Sequence, residues 1–238
     1  MIITKTICLF GDSLSKGIIC DPDTGRYIFL KDCFASLVAA DGKLGVSNYS
    51  KFGCTIGKAR GIIEKHISDA ERADVTALEF GGNDSDYDWA AISAEPDAEH
   101  SCRTPLDVFT ESYTDTVLSL RKQGVRLVLS NLPPIDPQRY FDWFSRGLNK
   151  GNLLRWLGGS VDYIYRWHES YSMCISRIAA SCGVPLLDIR SPFLLRRDYS
   201  DLLCIDGIHP NAKGHALISS VIEKSLPSLS EQLFSSGA

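Results

Sequence analysis

No segment of the chain approaches the roughly 20 consecutive apolar residues that span a bilayer, so no membrane helix is expected. A basic stripe is also missing. Lys and Arg are scattered and the formal net charge is -4, which argues against nucleic acid as a partner. None of the eight cysteines forms a C-x-x-C pair, so zinc and dithiol redox motifs are not expected. Repeats and long Pro/Gly/Ser linkers are absent, which makes one domain over residues 1–238 the simplest organisation. A removable leader is not expected either, because the apolar run that starts at Ile2 contains the charged Lys5. These absences imply a cytoplasmic protein with reduced cysteines, of which Cys8, Cys33, Cys174 and Cys182 fall in apolar patterns as small core residues. The 238 residues suffice for one sizeable core, and 44% hydrophobic with 23% charged is an ordinary globular composition.

What is present alternates between two periods. Ile2 to Phe10, Val46 to Ser50, Val75 to Phe80, Val125 to Leu129 and Val184 to Ile189 read as strands. Between them lie helical patterns, at Phe29 to Ala40 and at Ile56, Ala59, Ile63, Ile67 and Ala70. A third opens with Thr104 as N-cap and Pro105 at the first position, and stops at Gly124. A fourth is capped by Ser160 and closed by Gly183, and a last covers about Asn211 to Leu226 before Pro227. The tail from Ser228 to Ala238 is expected to fray unless Leu229, Leu233 and Phe234 pin it. Five strands separated by helices imply a parallel sheet covered on both faces.

In such a sheet the loops at the carboxyl ends of the strands gather on one rim. Those loops hold Ser13, Gly53, Gly81-Gly82-Asn83-Asp84, Pro133-Pro134 and Asp188, and Asp206 and His209 precede the last helix. A serine hydroxyl attacks poorly until a base takes its proton, and an imidazole near pKa 6.5 is suited to that. A carboxylate on the other ring nitrogen orients the base. Asp206 and His209 can make that contact within one tight turn, while Asp188, at a strand end, is the rival acid. Acyl transfer also needs donors at the oxyanion, and the Ser13 N–H, the Gly53 N–H and the Asn83 amide are available.

Gly11-Asp12-Ser13-Leu14, Gly53, Gly81-Gly82-Asn83-Asp84 and Asp206-Gly207-Ile208-His209 resemble the four blocks of the SGNH (GDSL) hydrolases, in order and across almost the whole chain. The resemblance implies a flavodoxin-like three-layer α/β/α sandwich with a five-stranded parallel sheet. It implies Ser13 as nucleophile and oxyanion donor, Gly53 and Asn83 as the other oxyanion donors, His209 as base and Asp206 as its partner. Family members are esterases, lipases, thioesterases and carbohydrate O-deacetylases, and they need no cofactor or metal.

Other motifs fail on spacing. Ser13-Leu14-Ser15-Lys16 fits S-x-x-K, but K-T-G and S-D-N are absent. No G-x-S-x-G elbow occurs, and His168-Glu169 lacks the second His of a zincin. Asp84, Asp86, Asp88 and Glu95 mimic a calcium loop, but Trp89 stands where Gly is needed. His66, His100, His168 and His215 are expected on helix or loop surfaces. The segment of about 138–159 is expected to form a lid-like excursion rich in aromatics, which could stack on a sugar ring or line a small acyl pocket. Asp12, Asp84 and Trp143 are candidate substrate contacts. The expected substrate is a short acyl ester, acetyl foremost, carried by a carbohydrate. A lysophospholipase or thioesterase acting on longer acyl chains is the alternative, as is a non-catalytic sugar-binding or scaffolding protein.

Overall fold

The computed structural model describes residues 5–40 and 44–234. Strand β1 (Lys5–Gly11) leads into a one-turn helix α1 (Ser13–Lys16), and a hairpin of β2 (Ile18–Cys20) and β3 (Tyr27–Phe29) follows. Next come α2 (Phe34–Ala39), β4 (Leu44–Asn48), α3 (Ile56–Lys65), α4 (Ile67–Arg72), β5 (Val75–Glu79), α5 (Trp89–Ala94) and α6 (Leu106–Lys122). The second half runs β6 (Leu127–Ser130), α7 (Pro137–Phe144), α8 (Lys150–Trp156), α9 (Asp162–Ser181), β7 (Leu186–Leu187), α10 (Ser191–Leu194), a 3-10 turn (Tyr199–Leu202) and α11 (Ala212–Phe234). The main sheet is five-stranded and parallel, in the order β4-β1-β5-β6-β7. Taken in chain order its strands run 2-1-3-4-5, the flavodoxin-like arrangement.

Alternation along the strands divides the molecule into layers. Cys8 and Phe10 of β1, with Leu78 of β5, belong to the core that includes Ile63, Phe109, Tyr113, Ile175 and Ile178 of α3, α6 and α9. Leu9 points the other way, into a second core with Phe34, Ala35 and Ile218 of α2 and α11. The central position of β1 matters for the site. Its carboxyl end emerges between β4 and β5, so the loops after those two strands flank Ser13.

The described ends of the expected strands fall within two residues of their expected places, and Ile2 to Thr4 lie outside the described residues. Four local expectations need correction. The helix placed at Phe29 begins at Phe34, because Tyr27–Phe29 pairs antiparallel with Ile18–Cys20. The pattern from Ile56 to Ala70 is two helices parted at His66, whose ring stacks on Tyr49 with centroids 3.8 Å apart. Pro105, and not Thr104, occupies the cap of α6; the Thr104 hydroxyl bonds the Asp84 carboxyl. Pro227 sits inside α11 instead of closing it. Leu226, Leu229 and Leu233 line an apolar cleft with Val46 and Ile218, and that burial carries the helix past the missing N–H. Residues 235–238 of the expected tail lie outside the described residues.

Two histidines expected at the surface are buried. His168 is 8% and His215 0% exposed, whereas His66 and His100 are half-buried. His215 accepts the Phe34 N–H at 3.3 Å and stacks on its ring, and burial with the nearby His209 lowers its pKa to about 4. All eight cysteines are buried and unpaired. Among the described residues no helix is long and apolar enough to cross a membrane.

Candidate active site

Asp12 is the N-cap of α1, and its Oδ1 accepts the Leu14 N–H at 2.9 Å. This tight exit from β1 presents Ser13 at the rim, 8% exposed. From the far end of the chain, the loop before α11 brings an imidazole to it: His209 Nε2 lies 2.9 Å from Ser13 Oγ. His209 Nδ1 lies 2.6 Å from Asp206 Oδ2, and Asp206 is fully buried. The other oxygen, Asp206 Oδ1, accepts the Ile208 and His209 N–H groups, each at 3.2 Å. One carboxylate thus fixes both the turn and the ring. The chain order Asp206-Gly207-Ile208-His209 allows this because Gly207 takes φ +76. A Cβ there would meet Asp136 O at 2.6 Å and Tyr140 N at 2.7 Å, so the loop also seats directly on the start of α7.

The groups expected as oxyanion donors follow the two strands that flank β1. Gly53 follows β4 with φ +68, a left-handed conformation that favours glycine. A Cβ there would meet nothing within 4 Å, so the backbone conformation, and not crowding, selects the residue. Asn83 follows β5, and its Nδ2 donates to Asp12 Oδ2 at 2.8 Å. Among the described residues neither the Ser13 nor the Gly53 N–H has a backbone acceptor. Ser13, Gly53, Asn83 and His209 all line one cavity of about 870 Å³.

The rival acid is elsewhere engaged. Asp188 is exposed, accepts from Asn131 Nδ2 at 2.7 Å, and takes the Arg190 and Ser191 N–H groups at the start of α10. Asp84 does not line the cavity either. It is fully buried and takes the Ile56 N–H at 3.0 Å, a cap for α3 supplied from a distant loop, and burial raises its pKa to about 6. Asp86 accepts from Tyr140 Oη at 2.6 Å, Trp89 Nε1 at 2.9 Å and Arg103 Nη2 at 3.0 Å. Asp88 caps α5. The acidic run is therefore consumed by hydrogen bonds.

Trp143 does line the cavity. Its Nε1 donates to Tyr27 Oη at 3.2 Å, and the Tyr27 ring sits 5.2 Å from the ring of His209. Phe52 packs against Tyr27, 5.3 Å between centroids, and its ring lies near-parallel to that of His209 at 6.5 Å. Tyr27 and Phe52 escaped the sequence reading because they lie on the hairpin and on the loop beside Gly53, with no periodic pattern to mark them. Much of the 138–159 segment is the helices α7 and α8, and Tyr140, Trp143 and Phe144 of α7 form one wall of the cavity. Tyr163, Trp167 and His168 of α9 form another. Nδ1 of His168 is buried without a hydrogen-bond partner among the described residues, and burial together with Arg190 lowers its pKa to about 3. Arg190 was also missed. It is buried and ties the Leu132 and Pro133 carbonyls, both at 3.2 Å, to Tyr165 and Glu169.

The fold has many counterparts. A lipase/acylhydrolase from Enterococcus faecalis superposes with a TM-score of 0.65 at 18% identity, covering 94% of this chain and 96% of that one. An acetyl xylan esterase gives 0.63 at 17%, covering 93% and 99%. A variant of an acetyl-xylooligosaccharide esterase from Geobacillus gives 0.63 at 16%, covering 94% and 95%. No curated protein matches the sequence. The family model of the GDSL-like lipases and acylhydrolases matches residues 9–217. The chain belongs to that family, and it is a serine hydrolase of the SGNH type.

Proposed function

We propose that the chain acts as one domain that hydrolyses short acyl esters, acetyl esters foremost, carried by carbohydrates. Ser13 is the nucleophile, His209 the general base and Asp206 its orienting partner. The observation that carries this reading is the unbroken contact from Ser13 Oγ through His209 to Asp206, 2.9 and 2.6 Å, opening on an aromatic cavity. In the first half-reaction Ser13 Oγ bonds to the acyl carbon as its proton passes to His209 Nε2. The carbonyl oxygen becomes an oxyanion, held by the Ser13 and Gly53 N–H groups and the Asn83 amide. As the C–O bond breaks, the alcohol leaves with the proton from His209. Water then attacks the acyl-serine as His209 takes its proton, and the acyl–Oγ bond breaks as His209 returns that proton to Ser13 Oγ, releasing the carboxylic acid.

The polar, aromatic character of the cavity supports a carbohydrate alcohol. Ser101, Arg103 and His168, whose Nδ1 has no partner among the described residues, stand among Tyr87, Trp89, Tyr163 and Trp167. Aromatic faces stack on sugar rings, and such side chains exchange hydrogen bonds with hydroxyls. Two structural counterparts are named for acetylated xylan or its oligosaccharides, in keeping with this reading. The apolar side of the cavity, with Leu132, Pro133, Ile135 and Ile164, favours a second reading in which a longer acyl chain is bound. Eight buried free cysteines support a reducing, cytoplasmic setting.

The direct test is labelling with a fluorophosphonate followed by peptide mapping. The label is expected on Ser13, and Ser13→Ala is expected to abolish it together with about 10⁶ of kcat. A label on another serine, or none, rejects the assignment.

A further inference from the structure

Glu79 is the one charged residue of β5, at its carboxyl end and in register with Gly11 of β1. Its carboxyl is 4% exposed and so is that of Asp12. Glu79 Oε2 accepts from Ser15 Oγ at 2.9 Å and from the Asp12 N–H at 3.5 Å, which sets the two carboxyl groups side by side, each raising the other's cost of ionisation. We propose that Glu79 and Asp12 share a single proton, carried by Glu79, and that this fixes the Asn83 amide in the orientation that serves the oxyanion. The inference rests on the reading of Asn83 as an oxyanion donor.

Two adjacent carboxylates buried this deeply at the floor of the cavity cannot both be ionised without a large cost, so one proton is retained. Its location follows from the partners. Asp12 receives the Leu14 N–H at 2.9 Å and the Asn83 amide at 2.8 Å, and it faces His209, all of which favour its anion. Glu79 has one hydroxyl and one long N–H contact, and its other charged or titratable neighbours are Asp12 itself and Tyr113. Asp84 and Cys54 also face Asp12, and Asp84 adds a second negative charge. Burial raises the pKa of both members, Glu79 well above the carboxylate range. The proton therefore stays on Glu79, as a donor to Asp12.

The consequence lies in amide chemistry. An ionised Asp12 only accepts, so it engages Nδ2 of Asn83 and leaves the second N–H of that amide for the substrate. A protonated Asp12 would donate to the amide oxygen and turn Asn83 over, pointing a carbonyl at the oxyanion. Glu79 is thus a positioning residue, acting through Asp12 and Asn83. The same pair explains why a glutamic acid is tolerated at the sheet's carboxyl edge.

Infrared spectroscopy of the wild-type enzyme at pH 8 tests the proton directly. Asp84, at about 6, is ionised there. A protonated-carboxyl carbonyl band is expected, shifted by carbon-13 glutamate labelling and missing from Glu79→Gln. In kinetics Glu79→Gln, which still donates to Asp12 and accepts from Ser15, is expected to keep wild-type kcat. Glu79→Leu is expected to lose kcat at unchanged KM, toward the ~10²–10³ limit set by one oxyanion donor. Absence of a glutamate-sensitive band, or a kcat loss in Glu79→Gln, overturns the inference. Fluorophosphonate labelling separates the two questions: a protein that labels at Ser13 but lacks the band retains the nucleophile assignment and loses only the shared proton.

Discussion

Asp206 and Asp188 are both aspartates placed at a rim, and what separates them is how each spends its oxygens. Asp206 gives Oδ2 to His209 and Oδ1 to its own turn, while Asp188 serves Asn131 and the start of α10. Asp206→Asn is expected to lower kcat by about 10⁴, as loss of a triad carboxylate does. Asp188→Asn is expected to leave kcat close to wild type, and steady-state rates of the two variants side by side decide between them. His168 carries a prediction about stability. Burial lowers its pKa from 6.5 to about 3, so the unfolded chain binds a proton between those values that the folded protein refuses. Its contribution is complete above pH 6.5 and is lost as pH falls through that window, at about 1.4 kcal/mol per unit. His168→Leu should therefore gain about 2 kcal/mol relative to wild type between pH 6.5 and 5. Urea titrations at both pH values check this, and an unchanged difference would show that the ring is not held neutral.

At the scale of elements, the site depends on how loops are seated on helix ends. The turn from Asp206 to His209 rests on the first turn of α7 through Gly207, and Asp136 N donates to the Gly207 carbonyl at 2.8 Å. Gly207→Ala would drive a Cβ into two backbone atoms at 2.6 and 2.7 Å, so the loop must move. The expected loss is about 10²-fold in kcat, because a displacement near 1 Å at reacting groups costs that much. Gly53→Ala has equal backbone strain but no clash, and is expected to cost about 1–2 kcal/mol in a thermal melt. Finding the two variants equally active and equally stable would refute the seating argument. The motif around Gly207 was legible in the sequence; its contact with α7 was not, since nothing local links residue 207 to residue 136. Asp84 teaches the same lesson. Its place beside Asn83 made it a candidate substrate contact, and only the fold shows it capping α3.

For the whole molecule, the proposed function assigns substrate choice to the aromatic cavity. Its walls come from the hairpin, the Gly53 loop, the α5 region, α7 and α9, so no single stretch of sequence describes its shape. Rates of release across a series of acyl chain lengths are expected to favour two carbons over eight, and acetylated oligosaccharides over simple alkyl acetates. A preference for eight carbons or more would move the assignment to the longer-acyl reading.

The sequence by itself determined the layered α/β/α architecture, since alternating strand and helix periods leave few ways to bury both faces of a parallel sheet. It also determined the candidate site, because the four motifs fall at the carboxyl ends of strands and before the last helix, where any such fold collects its loops. Tertiary structure alone decided that His168 and His215 are buried and how Glu79 comes to face Asp12. The physical reason is range. Periodicity and turn chemistry act over a few residues, whereas these contacts join residues tens to hundreds of positions apart, and their protonation follows from burial that only the completed fold creates.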